Sequence, residues 1–313
     1  MKKRFLETKP IFSKAMFSFL SIMLCSTGLV SCGDDDGDDT TGGGSGGGTN
    51  SVVIPSLSTN DGQKVRVAQA GEYSYSYNSD GSLASYNDGD ITFTATYNPF
   101  VLTSSATDGD FSENNTYSNI KLNSQGYVTG MSVAQIYKGS DYEDNITGSV
   151  SFTYNGNGNL TKFVAKGKGY EIEDGHKYNV SSTSTMNYTW SNGNLVQIDY
   201  SIEGGDNESG TIKYTYAADA KQNVTLQYVP AFVSDDISGM SDFQYIGLLG
   251  KGPSQLPTSY THSYTDDEGH YHSSSKTCTY VLNSDGTVKS FTGMDRGNMS
   301  YISVGSSSSN LKQ

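Results

Sequence analysis

The sequence predicts a mainly β protein, an antiparallel meander of hairpins forming a strongly curved sheet or soluble barrel, with one amphipathic helix packed on or inside it. Three observations predict this. A unit first met at Tyr75–Tyr86 returns at Ile120–Met131, Phe152–Phe163, Tyr188–Ile198 and Tyr280–Phe291. Four copies turn on Asn-x-x-Gly (Asn78 to Gly81, Asn123 to Gly126, Asn155 to Gly158, Asn283 to Gly286) and one on Asn192-Gly193. In the four, Asn accepts a backbone hydrogen bond and Gly supplies the positive φ of a type I turn with a bulge; Asn192-Gly193 suits a two-residue type I′ turn. Before each turn the strand alternates, Tyr75/Tyr77, Phe152/Tyr154 and Tyr188/Trp190 on one face and Ser or Thr on the other. After it the apolar pair is spaced by three: Leu83/Tyr86, Val128/Met131, Leu160/Phe163, Leu195/Ile198, Val288/Phe291. A recurrent β-bulge in the return strand would put both members on one face and curl the sheet.

Taken in order, the chain opens on an export signal. Lys2, Lys3 and Arg4 precede an apolar run from Ala15 to Leu24, and small residues follow before Cys32. The run is too short and too broken by Ser for a permanent membrane span. Leu29-Val30-Ser31-Cys32-Gly33 resembles the lipobox of bacterial lipoproteins. That resemblance implies that residues 1–31 are removed and that Cys32 becomes the lipid-modified first residue. The next stretch, with Asp34, Asp35, Asp36, Asp38 and Asp39, is similar to the acidic tract that routes Bacteroidetes lipoproteins to the outside of the outer membrane. The plainer alternative is a solvated acidic spacer. Asp39-Thr40-Thr41 also fits a short O-glycosylation pattern of that phylum. Residues 40–50 are Thr, Gly, Ser and Asn, a coil that sets the folded part on the order of 20 Å from the lipid.

Charge excludes one class of partner. Residues 1–31 carry five basic side chains against Glu7, so the formal −13 of the whole chain becomes −17 from Cys32 onward. Such a field repels nucleic acid. Of three cysteines, Cys25 leaves with the signal, Cys32 is acylated and Cys278 is left without a partner, as a small buried hydrophobe in a strand.

The folded domain is placed at 52–303, with 32–51 as tether and 304–313 as tail. Further strands fit Ile91–Tyr97, Gly148–Tyr154, Tyr178–Trp190, Gly210–Tyr216, Asn223–Tyr228 and Ser259–Tyr264. The helix is expected over Ser234–Gly250, with Ser234 as N-cap, Asp235 and Asp236 in its first turn and Gly250 with Pro253 as a stop. Its interior Gly239 and Gly247 weaken it. Phe243 to Ser259, through Leu256-Pro257-Thr258, followed by Tyr280 to Val288, resembles a Bacteroidetes surface lipoprotein family of unknown function with a porin-like fold, and the hairpins resemble YD (RHS-type) repeats. The resemblance covers roughly residues 70–300. It implies a curved sheet closed or plugged by a helix, on the outer membrane, and brings no activity.

For chemistry, His262, His270 and His272 flank Asp266-Asp267-Glu268 on one hairpin and offer a weak metal set; the simpler reading is an exposed polar tip. Asn78-x-Asp80-Gly81 and Asn283-x-Asp285-Gly286 look like half a calcium loop, but no glutamate follows at the required spacing. No catalytic motif and no cofactor-binding motif stands out. The 23 tyrosines suit either a partly wet interior or, if exposed, stacking on sugars. The expected function is a cell-surface lipoprotein that binds a glycan or other external ligand without catalysis, or else a structural component that meets a surface protein.

Overall fold

Strands form where Tyr, Phe, Val and Ile alternate with Ser and Thr, because one face can then be buried while the other stays in water. In this computed structural model residues 52–304 are described, apart from 88–90, 174, 205–206, 224–242, 244 and 294–296. In chain order the strands are β1 (Leu57–Ser58), β2 (Lys64–Ala70), β3 (Tyr73–Tyr77), β4 (Leu83–Asn87), β5 (Thr92–Thr96), β6 (Val101–Asp108), β7 (Phe111–Leu122), β8 (Val128–Lys138) and β9 (Tyr142–Tyr154). They continue as β10 (Leu160–Glu173), β11 (His176–Ser191), β12 (Asn194–Glu203), β13 (Glu208–Thr215), β14 (Ser259–Thr265), β15 (Tyr271–Thr277), β16 (Thr279–Leu282), β17 (Val288–Thr292) and β18 (Gly297–Ser303). The mainly β, antiparallel expectation holds: they form one sheet in meander order, and ladders from β9 to β10 and from β18 to β2 bring the circuit round on itself. β15 and β16 are one run interrupted at Cys278, so the circuit passes through this run from β14 to β17. Among the described residues β15 has a ladder only on its β14 side, which leaves the barrel nearly closed.

Four of the five turns share a backbone plan, and Asn192-Gly193 differs, with both residues at positive φ. Gly81, Gly126, Gly158 and Gly286 have φ between +83° and +84°, and each donates its N–H to the Asn carbonyl three residues back. The side chain that braces the turn changes. Asp80 and Asp285 accept the N–H of Ser82 and Thr287, whereas in the two copies without Asp it is Asn123 and Asn155 that accept. The aspartates of the apparent calcium half-loops are thus committed to their own turns.

All five return strands carry the expected bulge. Register shifts fall at Ser76/Tyr77, Lys121/Leu122, Leu160/Lys162, Thr189/Trp190 and Val281/Leu282, and both members of every three-spaced pair are buried on the inner face. A bulge leaves a backbone carbonyl outside the ladder, and a buried carbonyl needs a donor. Here the next strand supplies one each time. Tyr97, Tyr154, Trp190, Tyr216 and Tyr301 donate to the carbonyls of Leu83, Val128, Leu160, Leu195 and Val288, the first apolar residue after each turn. Tyr154→Phe keeps the ring and removes only the donor to Val128, 2.7 Å away. A loss of about 1–2 kcal/mol is expected on urea denaturation; an unchanged midpoint would show that the cap contributes nothing.

Tyrosines largely fill the inside: Tyr75, Tyr77, Tyr86, Tyr117, Tyr188, Tyr200, Tyr214 and Tyr260 are buried with Phe93, Phe152 and Phe163. The outer face is a set of hydroxyl ladders, Ser76 with Ser85, Thr261 with Ser275, Ser263 with Ser273 and Thr279 with Thr292, at 2.6–2.9 Å. This is the reverse of a membrane-spanning barrel, which turns an apolar band outward.

The expected helix is corrected. Residues 234–242 lie outside the described residues; from Tyr245 to Leu249 the backbone runs through turns. Leu248 donates to the carbonyl of Phe243, five residues back, and Gly247 and Gly250 have φ of +77° and +92°. Left-handed glycines interrupt the helical ladder, and barrel contacts replace it. Phe243, Tyr245, Ile246, Leu248 and Leu249 are buried in the core, with Phe243 against Tyr117 and Tyr245 against Tyr73. The carbonyl of Leu248 accepts from Val128, while Lys251 and Ser254 donate to Gly158 and Gly193 in two of the hairpin turns. A Cβ on Gly250 would lie 2.5 Å from the Gly158 carbonyl, so only glycine fits there. The segment plugs the end of the barrel that carries the repeated turns. Asn223–Tyr228, expected as a strand, lies outside the described residues beyond Asn223.

Candidate functional site

At the end opposite the plugged one, strand lengths differ around the ring. β7 to β11 run 12, 11, 13, 14 and 16 residues, against 5 each for β3, β4 and β5. At about 3.3 Å per residue the long strands project well beyond the short ones as a curved wall. Along that wall the inward positions change character. On β7 they run Tyr117, Asn115, Glu113; on β9 Val150, Gly148, Ile146, Asp144; on β10 Ala165, Gly167, Gly169, Glu171. The open end is therefore polar inside.

Two groups of side chains line it. The first is a row across neighbouring strands: Glu113 pairs with Tyr137, Tyr137 with Asp144, Asp144 with Glu171 and Glu171 with Tyr178. Burial, and then Glu173 and Glu143, push the Asp144 carboxyl up to about 6. Burial, and then Asp144 and Glu173, push Glu171 up to about 7. Like charges on facing strands in a poorly solvated place resist joint ionisation.

The second group lies on β12 to β15. Tyr200 donates to Glu208, and its oxygen lies 2.8 Å from His262 Nε2. Burial, helped by Lys276, lowers the His262 pKa, which keeps the ring neutral. His262 and His272 both stack on Tyr264, with ring centres 4.9 and 4.7 Å from it. His272 Nε2 is 2.8 Å from Asp266, and that bond lowers the Asp266 pKa. His270 is exposed at the tip, 3.4 Å from Glu268 and 3.6 Å from Asp266.

The structure thus joins His262 and His272 through a tyrosine and leaves His270 apart. Among the described residues no three of His, Cys, Asp and Glu gather as metal ligands. Cys278 is buried, and burial pushes its thiol up to about 11, which suits a packing residue and no nucleophile. Cys32 and Asp34, Asp35, Asp36, Asp38 and Asp39 lie outside the described residues. Outside the barrel, a groove of about 480 Å³ runs along Asn145, Thr147, Lys168, Tyr170, Asn179 and Ser181. Sequence reasoning missed the acidic row. Its signal was that Glu113, Asp144 and Glu171 continue, at a period of two, the inward faces of Tyr117, Ile146 and Ala165.

No protein-family model matches the chain, and no curated protein matches it. Among solved structures it is similar to a porin-like protein from Bacteroides vulgatus ATCC 8482, at 15% identity over 82% of this chain and 99% of that one, with a TM-score of 0.46. It is also similar to a porin-like protein from Bacteroides uniformis ATCC 8492, at 13% identity over 65% of this chain and 92% of that one, with a TM-score of 0.26. The porin-like description agrees with the resemblance drawn from the sequence; the lipoprotein family and the YD repeats have no match behind them.

Proposed function

We propose that the chain is a lipoprotein of the cell envelope, held by the lipid on Cys32 and shown to the outside, whose barrel binds an external ligand at its open end without catalysis. The observation that carries this reading is the contrast between the two ends. One is filled by Phe243 and by Tyr245 to Leu249 and sealed onto the hairpin turns; at the other, beside the projecting wall, His262, Tyr264 and His272 present stacked rings next to Asp266, with Tyr200 buried behind them. Flat rings with polar edges suit the faces of sugar rings. The signal, the lipobox and the acidic tract supply the anchor and the address, and two acyl chains suffice for stable attachment. The charge of −17 beyond Cys32 disfavours nucleic acid.

A purely structural role with a protein partner needs an apolar patch beside Ile237–Leu249. The described part of that stretch faces the barrel interior, so nothing there favours it. Purified protein on a glycan array is expected to select a small set of glycans, and Tyr264→Ala to weaken that binding at least tenfold. Binding to no glycan, or binding that ignores Tyr264, would overturn the glycan reading.

A further inference from the structure

The outer face of β9 to β11 runs against the charge of the chain. The whole chain is formally −13, yet the outward positions of these three strands hold Lys162, Lys166, Lys168 and Lys177 with Glu143 as their one carboxylate, a local net of +3. Register shows how few of these charges are answered. Lys138 on β8 lies across from Glu143 and pairs with it at 3.0 Å. Lys166 and Lys168 lie across from Ser149 and Thr147 on β9 and from Thr183 and Ser181 on β11, and Lys162 from Thr153 and Asn187. Among the described residues these three lysines make no ion pair. The next outward carboxylates, Asp199 and Glu203, stand two strands on along β12, and Asp199 is already held by Gln197 and Thr211.

Scattered outward lysines only solvate a surface; these border a concavity. The groove of about 480 Å³ opens beside Lys168 and is lined by Asn145, Thr147, Tyr170, Asn179 and Ser181. Its floor is backbone at Gly169, where a Cβ would lie 2.1 Å from the carbonyl of Asn145, so β9 and β10 approach there as only glycine allows. Tyr170 is held in place, since its hydroxyl donates to Glu143 at 2.8 Å and Lys177 Nζ sits 3.5 Å from its ring centre. Amide and hydroxyl side chains beside an aromatic ring suit a sugar, and the ammonium groups require that it carry negative charge. Lys162 to Lys168 spans six residues, roughly 20 Å at about 3.3 Å each, longer than one sugar and fitted to a chain of them. Screening over about 8 Å at physiological salt leaves a ligand on β10 responding to these lysines more than to acids elsewhere.

We propose that the outer face of β9 to β11 binds an acidic polysaccharide, whose carboxylate or sulfate groups pair with Lys162, Lys166 and Lys168 while one sugar seats in the groove at Asn145 and Asn179. This site is separate from the open end of the barrel and goes beyond the function proposed for that end.

The test is titration calorimetry of the purified full-length mature protein with polygalacturonate and with dextran sulfate, against neutral dextran and a DNA oligonucleotide. Binding of at least one acidic polysaccharide is expected, and none of neutral dextran. Lys166→Gln/Lys168→Gln is expected to weaken it by about tenfold or more, and Asn179→Ala, which leaves the charge alone, by about threefold or more. Lys213→Gln/Lys289→Gln removes the same charge from outward positions on β13 and β17 and should change the affinity by less than about twofold. The acidic tether is the same in all of them. Binding of neither acidic polysaccharide, equal losses in the two lysine pairs, an unaffected Asn179→Ala, or dextran or DNA bound as tightly as the polysaccharide would overturn the proposal. All four lysines are exposed, so the variants are expected to fold, and circular dichroism checks it. The open end is read by Tyr264 on the glycan array and this face by the lysine pair, so either reading can fail while the other stands.

Discussion

Phe163→Ala is expected to lower the stability of the barrel by about 3–5 kcal/mol, among the largest losses available to a single side chain here. Phe163 is 0% exposed on β10, whose ladders to β9 and β11 are both long, and its ring packs on Phe152 at 5.5 Å. It also follows the bulge at Thr161, which turns it inward. A cavity there cannot be refilled from either neighbour, since both flanking strands are held in register by ladders on their far sides. Lys166→Ala, three residues along the same strand and pointing outward, is the control and should change stability by less than about 0.5 kcal/mol. Denaturant titration of the two variants reads the difference. Equal losses would mean that the faces of β10 are assigned the wrong way round.

The parts of this fold that were legible in the sequence are those decided within a hairpin. Asn-x-x-Gly and Asn192-Gly193 act over four residues, and the three-residue spacing of Leu83/Tyr86 and its counterparts states a bulge wherever both residues must be buried. Which side chain braces a turn was less legible. Asp80 takes over a task that Asn155 performs elsewhere, and only the pairing geometry separates them.

Features that depend on distant strands were hidden. Nothing near Tyr97, Tyr154, Trp190, Tyr216 or Tyr301 in the sequence marks their task, because each meets a carbonyl 13 to 30 residues away. The acidic row was hidden for the same reason, since Glu113, Asp144 and Glu171 become neighbours only once three ladders are in register. The helix expected over Ser234–Gly250 is not seen in its described part, where the interior Gly247 at positive φ breaks it; Gly250, at positive φ too, stands where a stop was expected. Those glycines permit the turns that let Leu248 and Leu249 fill the barrel, and burial in the lumen outweighs local helix propensity.

In the proposed function the barrel keeps its apolar face inside and is attached to the envelope by lipid alone. Cys32→Ala, expressed in the native cell with its signal otherwise intact, separates this from a barrel embedded in the bilayer. Fractionation with a fatty-acid label is the measurement. The parent is expected to carry the label and to sediment with the outer membrane through a carbonate wash. The variant should carry no label and appear in the soluble fraction with the β-rich circular dichroism of the parent. An unlabelled variant that stays in the washed membrane pellet would contradict the account, because the strands themselves would then be holding the protein in the bilayer.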